Sequence, residues 1–304
     1  MAALSSQAGE VLAAAGQTES GGSDAKRQRN LRRVAISTWS FHNLFESTRD
    51  KDEKTQGAML EMIDFPEMIA DRYHVHKMEF VAPHFAATTP AYLKDVKQRL
   101  AKVHSHLVNI PADIDEIRNQ GGLSDANEEV RNKAIQGAMK WIDVAKELGA
   151  ESVRCDPGKM NVNDLSPTVA SYKKIGAYAS SKGLKVIIEN HDVIGSTHPE
   201  ILADLFRRVG NNLVGALPDF GNFPDDATRF RGLPILFPYA STVCHAKGFQ
   251  FNSAGDETTF DFPRCVAISK KANFRGAYSI EYEQKGGEPY EGVRKVVDEL
   301  VKYL

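Results

Sequence analysis

Glu189, Asp219, His245 and Glu281 each follow a short apolar run: KVII, LVGALP, STVC and AYSI respectively. Three carboxylates and one imidazole form a donor set for a single divalent cation, suited to Mn²⁺, Mg²⁺ or Co²⁺ and compatible with Zn²⁺. A cation held by such ligands is a Lewis acid. It polarises a carbonyl oxygen and stabilises the charge that develops when the neighbouring carbon loses a proton. Taken singly, each of the four is as well explained as a solvated loop residue or a helix N-cap. Only their shared position, at the ends of consecutive strand-like runs, makes them a site.

The elements that would carry them alternate along the chain. Strand-like runs occur at RRVAISTW, HKMEFVA, HSHLVNI, ESVRCD, LKVIIE, LVGALPD, STVCHA and AYSIEY. Helical patterns follow near residues 55–72, 90–102, 125–148, 166–182, 198–209, 225–238, 261–272 and 289–303. Eight such βα units predict a single-domain (β/α)8 TIM barrel over residues 32–304, whose active site collects where the strands end. A doubly wound open sheet is the competing architecture, but no glycine-rich phosphate loop follows the first strand. The boundaries carry their own signals. Ser166-Pro167 reads as an N-cap followed by a first-turn proline, and Gly183 as a helix stop. Thr197-His198-Pro199-Glu200 reads as a capping box. In AIQGAMKWIDVAKELG, Ala134, Ala138, Ile142 and Ala145 share one helix face.

Composition narrows the class of function. A chain of 304 residues with 42% hydrophobic content can bury a large core, and its net charge of −2 offers no basic surface for a nucleic-acid backbone. No apolar run approaches the length of a membrane span. Cys155, Cys244 and Cys265 are odd in number and lack CxxC spacing, so buried free thiols are expected. Residues 1–31 are rich in Ala, Gly, Ser and Gln and read as a flexible N-terminal tail. Its VLAAAG piece is a poor export signal, so a cytoplasmic location is expected, with periplasmic export as the alternative.

The order Glu, Asp, His, Glu, in the phrases IIENH, LPDFGN, CHAKG and SIEYE, resembles the xylose isomerase-like barrel superfamily from about Val34 to Leu304. That superfamily includes sugar isomerases, ketose epimerases, inosose dehydratase and endonuclease IV. The resemblance implies a metal-dependent sugar isomerase or epimerase in which Glu189, Asp219, His245 and Glu281 bind the ion. It further implies that Glu189 and Glu281 flank the reacting carbon as base and acid, and that the partner is a small sugar or polyol, with a homo-oligomer possible. Glu283 rivals Glu281, because alternate residues of a strand face the same way. Substrate contacts are expected from His191, Lys247, Arg154, Glu79, His106, Asn222 and Glu283, with Trp39 and Phe41 as an apolar wall. Each of these has a structural alternative, such as ion pairing for Glu79 or core packing for the aromatics.

Two positions depart from the ketose 3-epimerase pattern, which has a His three residues after the strand-six Asp and an Arg six after the strand-seven His. Here those places hold Asn222 and Phe251. The HAKG phrase is closer to the His-x-Lys of the inosose dehydratase branch, which keeps β-elimination open as the alternative reaction. Endonuclease IV-like phosphodiester cleavage would need further ligands and a basic surface, and a non-catalytic sugar-binding barrel would not need both glutamates.

Overall fold

The computed structural model describes residues 24–52, 58–119 and 121–304. Eight parallel strands form the sheet: β1 (Val34–Ser37), β2 (Lys77–Glu79), β3 (His106–Pro111), β4 (Ser152–Arg154), β5 (Lys185–Glu189), β6 (Val214–Leu217), β7 (Val243–Gly248) and β8 (Ala277–Tyr282). Six fall inside the runs read from the sequence, while β3 and β7 overlap theirs and extend past them, to Pro111 and Gly248. Backbone pairing follows the order β6-β5-β4-β3-β2-β1-β8-β7. The remaining seam, between β6 and β7, is closed by a parallel bridge joining Asp219 to His245. There His245 N donates to Pro218 O at 3.0 Å and Phe220 N to His245 O at 3.1 Å. The chain is thus a single-domain TIM barrel, and its last seam is fastened at two of the candidate ligands.

Around it run α1 (residues 24–31), α2 (Phe65–Tyr73), α3 (Pro90–Lys102), α4 (Asp115–Arg118), α5 (Glu128–Leu148), α6 (Ser166–Ser181), α7 (Asp192–Thr197), α8 (Pro199–Val209), α9 (Asp226–Leu236), α10 (Phe262–Lys271) and α11 (Pro289–Tyr303). The apolar stripe of α5 is buried as its spacing requires, through Ala134, Ala138, Ile142 and Ala145. Gly149 and Gly183 end α5 and α6 at φ +76° and +75°, a conformation that favours glycine. All three cysteines are free and buried. No helix among the described residues is long and apolar enough to cross a membrane.

The barrel interior has two levels. Ala35, Val108, Ile187, Leu217, Val243 and Ala277, from six different strands, form an apolar cluster separate from the main core between strands and helices. Because side chains alternate along a strand, two residues further on face the same way. That step leads from Ile187 to Glu189, from Leu217 to Asp219, from Val243 to His245 and Lys247, and from Ala277 through Ser279 to Glu281. An apolar plug therefore supports a polar layer at the C-terminal mouth.

Several expectations are corrected. The end of the supposed flexible tail is helical: in α1, Leu31 is buried, Asn30 Nδ2 donates to Val301 O at 3.0 Å, and Arg27 pairs with Asp298 at 2.7 Å. Burial of Leu31 in the main core supplies the apolar contact that composition alone did not reveal, while residues 1–23 lie outside the described residues. The helix expected near 55–72 begins only at Phe65, with Pro66 in its first turn; a proline fits there and disfavours helix in the residue before it. Part of that span, 53–57, lies outside the described residues. The capping box at Thr197 does not form, because Thr197 Oγ1 donates back to Val193 O inside the short helix α7. Ser166 is the first residue of α6 rather than its cap, and its N–H donates to Asp164 Oδ1 at 2.9 Å.

Candidate metal centre

Glu189 ends β5, His245 lies within β7, Glu281 within β8, and Asp219 sits two residues past β6. One ligand atom from each lies within 4.8 Å of all the others, and all four residues are buried. His245 Nδ1 is the hub, 3.0 Å from Glu189 Oε1, 3.3 Å from Glu281 Oε2 and 3.5 Å from Asp219 Oδ2. Ligands about 2.0–2.2 Å from one ion have neighbouring donor atoms roughly 3 Å apart, so the four atoms suit a single cation.

Asp219 supplies a second sign of fit. Its Oδ1 accepts from Gly221 N at 2.6 Å and Asn222 N at 2.7 Å, which fixes the turn after β6. Its Oδ2 is buried with no hydrogen-bond partner. Lys247 Nζ stands 3.3 Å away, so this buried oxygen has a neighbouring charge but no hydrogen bond, and a cation would complete its environment. Sequence reasoning missed Asn190, which holds this aspartate from the next strand. Asn190 Oδ1 accepts from Asp219 N at 2.7 Å and its Nδ2 donates to Asp219 O at 3.1 Å.

Behind the imidazole stands Glu79. His245 Nε2 lies 3.0 Å from Glu79 Oε1, and Asn109 Nδ2 donates to Glu79 Oε2 at 2.9 Å. Ser152 Oγ in turn donates to Asn109 Oδ1 at 2.9 Å. Glu79 is thus an orienting partner, fully buried beneath the histidine, rather than a wall of the cavity. A carboxylate on the far nitrogen fixes which nitrogen faces the ligand cluster. Burial opposes a charged imidazole, but Glu281, Glu79 and Glu189 outweigh it and hold the His245 pKa well above its ordinary value. The position where Nδ1 would carry its proton is also where a cation would sit.

Arg154 ends β4 and pairs with Glu189 Oε2 and Asp113 Oδ1, and lies 3.4 Å from Asp156 Oδ2. Burial disfavours ionisation of Glu189, yet Arg154 and His245 prevail and keep its carboxyl well below the usual range. Asp113, in the loop after β3, and Arg118, the last residue of α4, were missed by sequence reasoning; PADIDEIR carries polar residues directly past a strand end, the one signal that could have raised them. Arg118 donates to Asp113 Oδ1 through Nε at 3.0 Å and Nη2 at 2.6 Å.

On the opposite side, Lys247 Nζ lies 3.0 Å from Glu281 Oε2, 3.1 Å from Glu283 Oε1, 3.3 Å from Asp219 Oδ2 and 3.1 Å from Asn222 Oδ1. Burial works against its charge, but Asp219, Glu281 and Glu283 hold it protonated well above the ordinary lysine range. Burial also pushes Glu281 up to about 7, with His245 and Lys247 pulling the other way. Asn222 Nδ2 donates to Glu189 Oε1 at 2.9 Å, and Trp39 Nε1 to Glu283 Oε1 at 2.5 Å. A cavity of about 120 Å³ opens here, lined among others by Trp39, Arg154, Glu189, His191, Asn222, Lys247, Glu281 and Glu283.

Two expected contacts are not brought to this cavity. His106 opens β3 at the N-terminal end of the barrel, half-exposed, and faces Glu151 at 3.6 Å; a strand's first residue lies a full strand length from the mouth where the ligands gather. Phe41 is buried against Phe65 and Tyr290 in the core. Phe251 stacks on Tyr282 with centroids 6.3 Å apart.

A family model described as xylose isomerase-like TIM barrel matches residues 70–303. Among solved structures, a D-allulose 3-epimerase from Methylomonas sp. superposes with TM-score 0.68 at 11% identity, covering 90% of this chain and 98% of that one. The IOLI protein with a bound zinc atom gives TM-score 0.65 at 14% identity, covering 90% and 99%. A xylose isomerase-like TIM barrel protein from Mycobacterium smegmatis in complex with magnesium gives 0.61 at 15% identity, covering 90% and 97%. A search of curated proteins by sequence finds no match.

Proposed function

Because the chain belongs to the xylose isomerase-like TIM barrel family, we propose that it is a divalent-metal-dependent enzyme that removes the proton next to a carbonyl of a sugar or polyol derivative. The observation that carries this reading is the buried set of Glu189, Asp219, His245 and Glu281 around one point, with Asp219 Oδ2 making no hydrogen bond. A cation bound there supplies Lewis acidity toward a substrate carbonyl. Similar folds that carry zinc or magnesium, and one named as a ketose epimerase, support the same class.

The two glutamates are not equivalent. The second oxygen of Glu189 is engaged by Arg154, so Glu189 serves as a fixed anion. Glu281 lines the cavity beside Lys247 and is the group that takes the proton. Lys247, protonated and within reach of the same space, returns a proton or donates to the oxygen on which charge develops. One base with one neighbouring acid suits aldose–ketose isomerisation. It suits β-elimination equally, where Lys247 assists the departing oxygen, whereas inversion at carbon needs a free base on each face. Trp39 and Asn222 orient the substrate, with His191 at the rim.

The test is solvent exchange. Metal-loaded protein incubated in deuterium oxide with ketoses and keto-glycosides is expected to place deuterium on the carbon next to the carbonyl, and elimination would add release of water or an alcohol. Absence of exchange with Mn²⁺, Mg²⁺, Co²⁺ and Zn²⁺ each loaded in turn would overturn the proposal.

A further inference from the structure

We propose that the larger cavity beside the metal centre binds an aromatic substituent of the substrate, so that the enzyme acts on an aryl-bearing sugar rather than a free or phosphorylated one. The sugar half of this inference rests on the function proposed above; the aromatic half rests on the cavity alone. The cavity holds about 320 Å³ and shares Arg118 and His191 with the 120 Å³ space over the ligand cluster. These two side chains are a common wall, so one extended ligand can occupy both spaces. Its reacting carbons would lie over Glu281 and Lys247 and its distal part beyond His191.

The lining decides the chemistry of that distal part. Ile117, Met160, Val193 and Ile194 present apolar surface to it. Val193, on α7, is 78% exposed, the most exposed large apolar side chain among the described residues. An aromatic ring covering it would remove apolar area from water on both partners. Gly158 keeps the wall close: at φ +74° it lies against Gly121 O, where a Cβ would collide.

A phosphate is the wrong occupant. Arg118 is committed to Asp113 through two hydrogen bonds, Asp156 in the same wall would repel a second anion, and the remaining cation, Lys159, is an exposed side chain whose charge water screens. Both Asp156 carboxylate oxygens are buried without a hydrogen-bond partner; Oδ2 is ion-paired with Arg154 at 3.4 Å and faces His191 Nδ1 at 4.0 Å, which leaves Oδ1 as the open acceptor. A buried acceptor lacking a donor suits a ligand hydroxyl. The favoured substituent is therefore an aromatic ring with a phenolic group.

Isothermal titration of the metal-loaded protein with methyl β-glucoside, 4-hydroxyphenyl β-glucoside and glucose 6-phosphate tests this. The aryl glucoside is expected to bind at least about tenfold tighter than the methyl glucoside, as burial of a ring requires, with the phosphate weakest. Val193→Asp, at an exposed position that leaves folding intact, should collapse the aryl-to-methyl ratio toward one. Equal affinities, or preference for the phosphate, would overturn the inference while leaving the function standing. Hydroquinone without a sugar, followed by saturation transfer from the methyl groups of Ile117, Met160, Val193 and Ile194, separates the two ideas. If hydroquinone binds there while no glucoside does, the aromatic site survives and the sugar reading falls; if neither binds, the inference is wrong.

Discussion

At the scale of single residues, the centre depends on which oxygen of each carboxylate is already engaged. Asp219 spends Oδ1 on the turn and leaves Oδ2 for a cation, whereas Glu189 has both oxygens engaged, one toward His245 and one with Arg154. Arg154 joins carboxylates from three loops and strands, and removing it would leave Glu189 and Asp113 buried without their principal counter-charge. Arg154→Met is therefore expected to lose about 3–5 kcal/mol of stability at pH 7. The pH dependence has a definite sign. Against the opposing effect of burial, Glu189 and Asp113 are held below their ordinary values by Arg154. Such groups contribute stability that is present above their unfolded pKa values and lost as pH falls through the folded ones. The stability gap between wild type and Arg154→Met should be full at pH 7 and close on acidification below about pH 4, as read from denaturant melts across pH. A gap that widened in acid would contradict the assignment.

Among elements, α1 and the β6–β7 seam illustrate how distant chain segments complete the barrel. α1 docks on α11 through Asn30 and Arg27, and its Leu31 is buried in the main core. Most of the anchoring falls to the buried side chain, since an exposed ion pair such as Arg27–Asp298 contributes little. Leu31→Ala is expected to cost about 2–4 kcal/mol, seen as a lowered melting temperature with metal affinity unchanged. A change within about 0.5 kcal/mol would mean that α1 frays from the barrel in solution.

For the whole molecule, the barrel brings together ligands from β5, β7, β8 and the turn after β6, and the metal site should therefore report on global folding. A ligand that binds only the folded chain stabilises it by mass action, by about 2.7 kcal/mol at a hundredfold excess over Kd. Metal-stripped protein is expected to melt at a lower temperature than protein refilled with Mn²⁺ or Zn²⁺. The difference should vanish in Asp219→Asn, which lacks the charge on the oxygen that makes no hydrogen bond. An equal metal-induced shift in that variant would place the bound ion elsewhere.

The sequence by itself determined the eightfold alternation and the level of the ligands. Apolar runs of strand length ending in Glu189, Asp219, His245 and Glu281 can meet only where parallel strands end, and side-chain alternation places the four an even number of residues beyond the plug. Tertiary structure decided the rest, because it depends on which strands become neighbours. Nothing local to Glu79 says that it will face His245 from across the barrel, nor that Arg154 will take the second oxygen of Glu189. His106, read as a substrate contact or a structural histidine, lies at the first residue of its strand, and that place puts it at the opposite mouth. Asp113, Asp156 and Asn190 were in plain view, but an isolated acid or amide past a strand has no periodicity to mark it. Their roles come from charge and hydrogen-bond complementarity between segments far apart in the chain, which only the closed barrel creates.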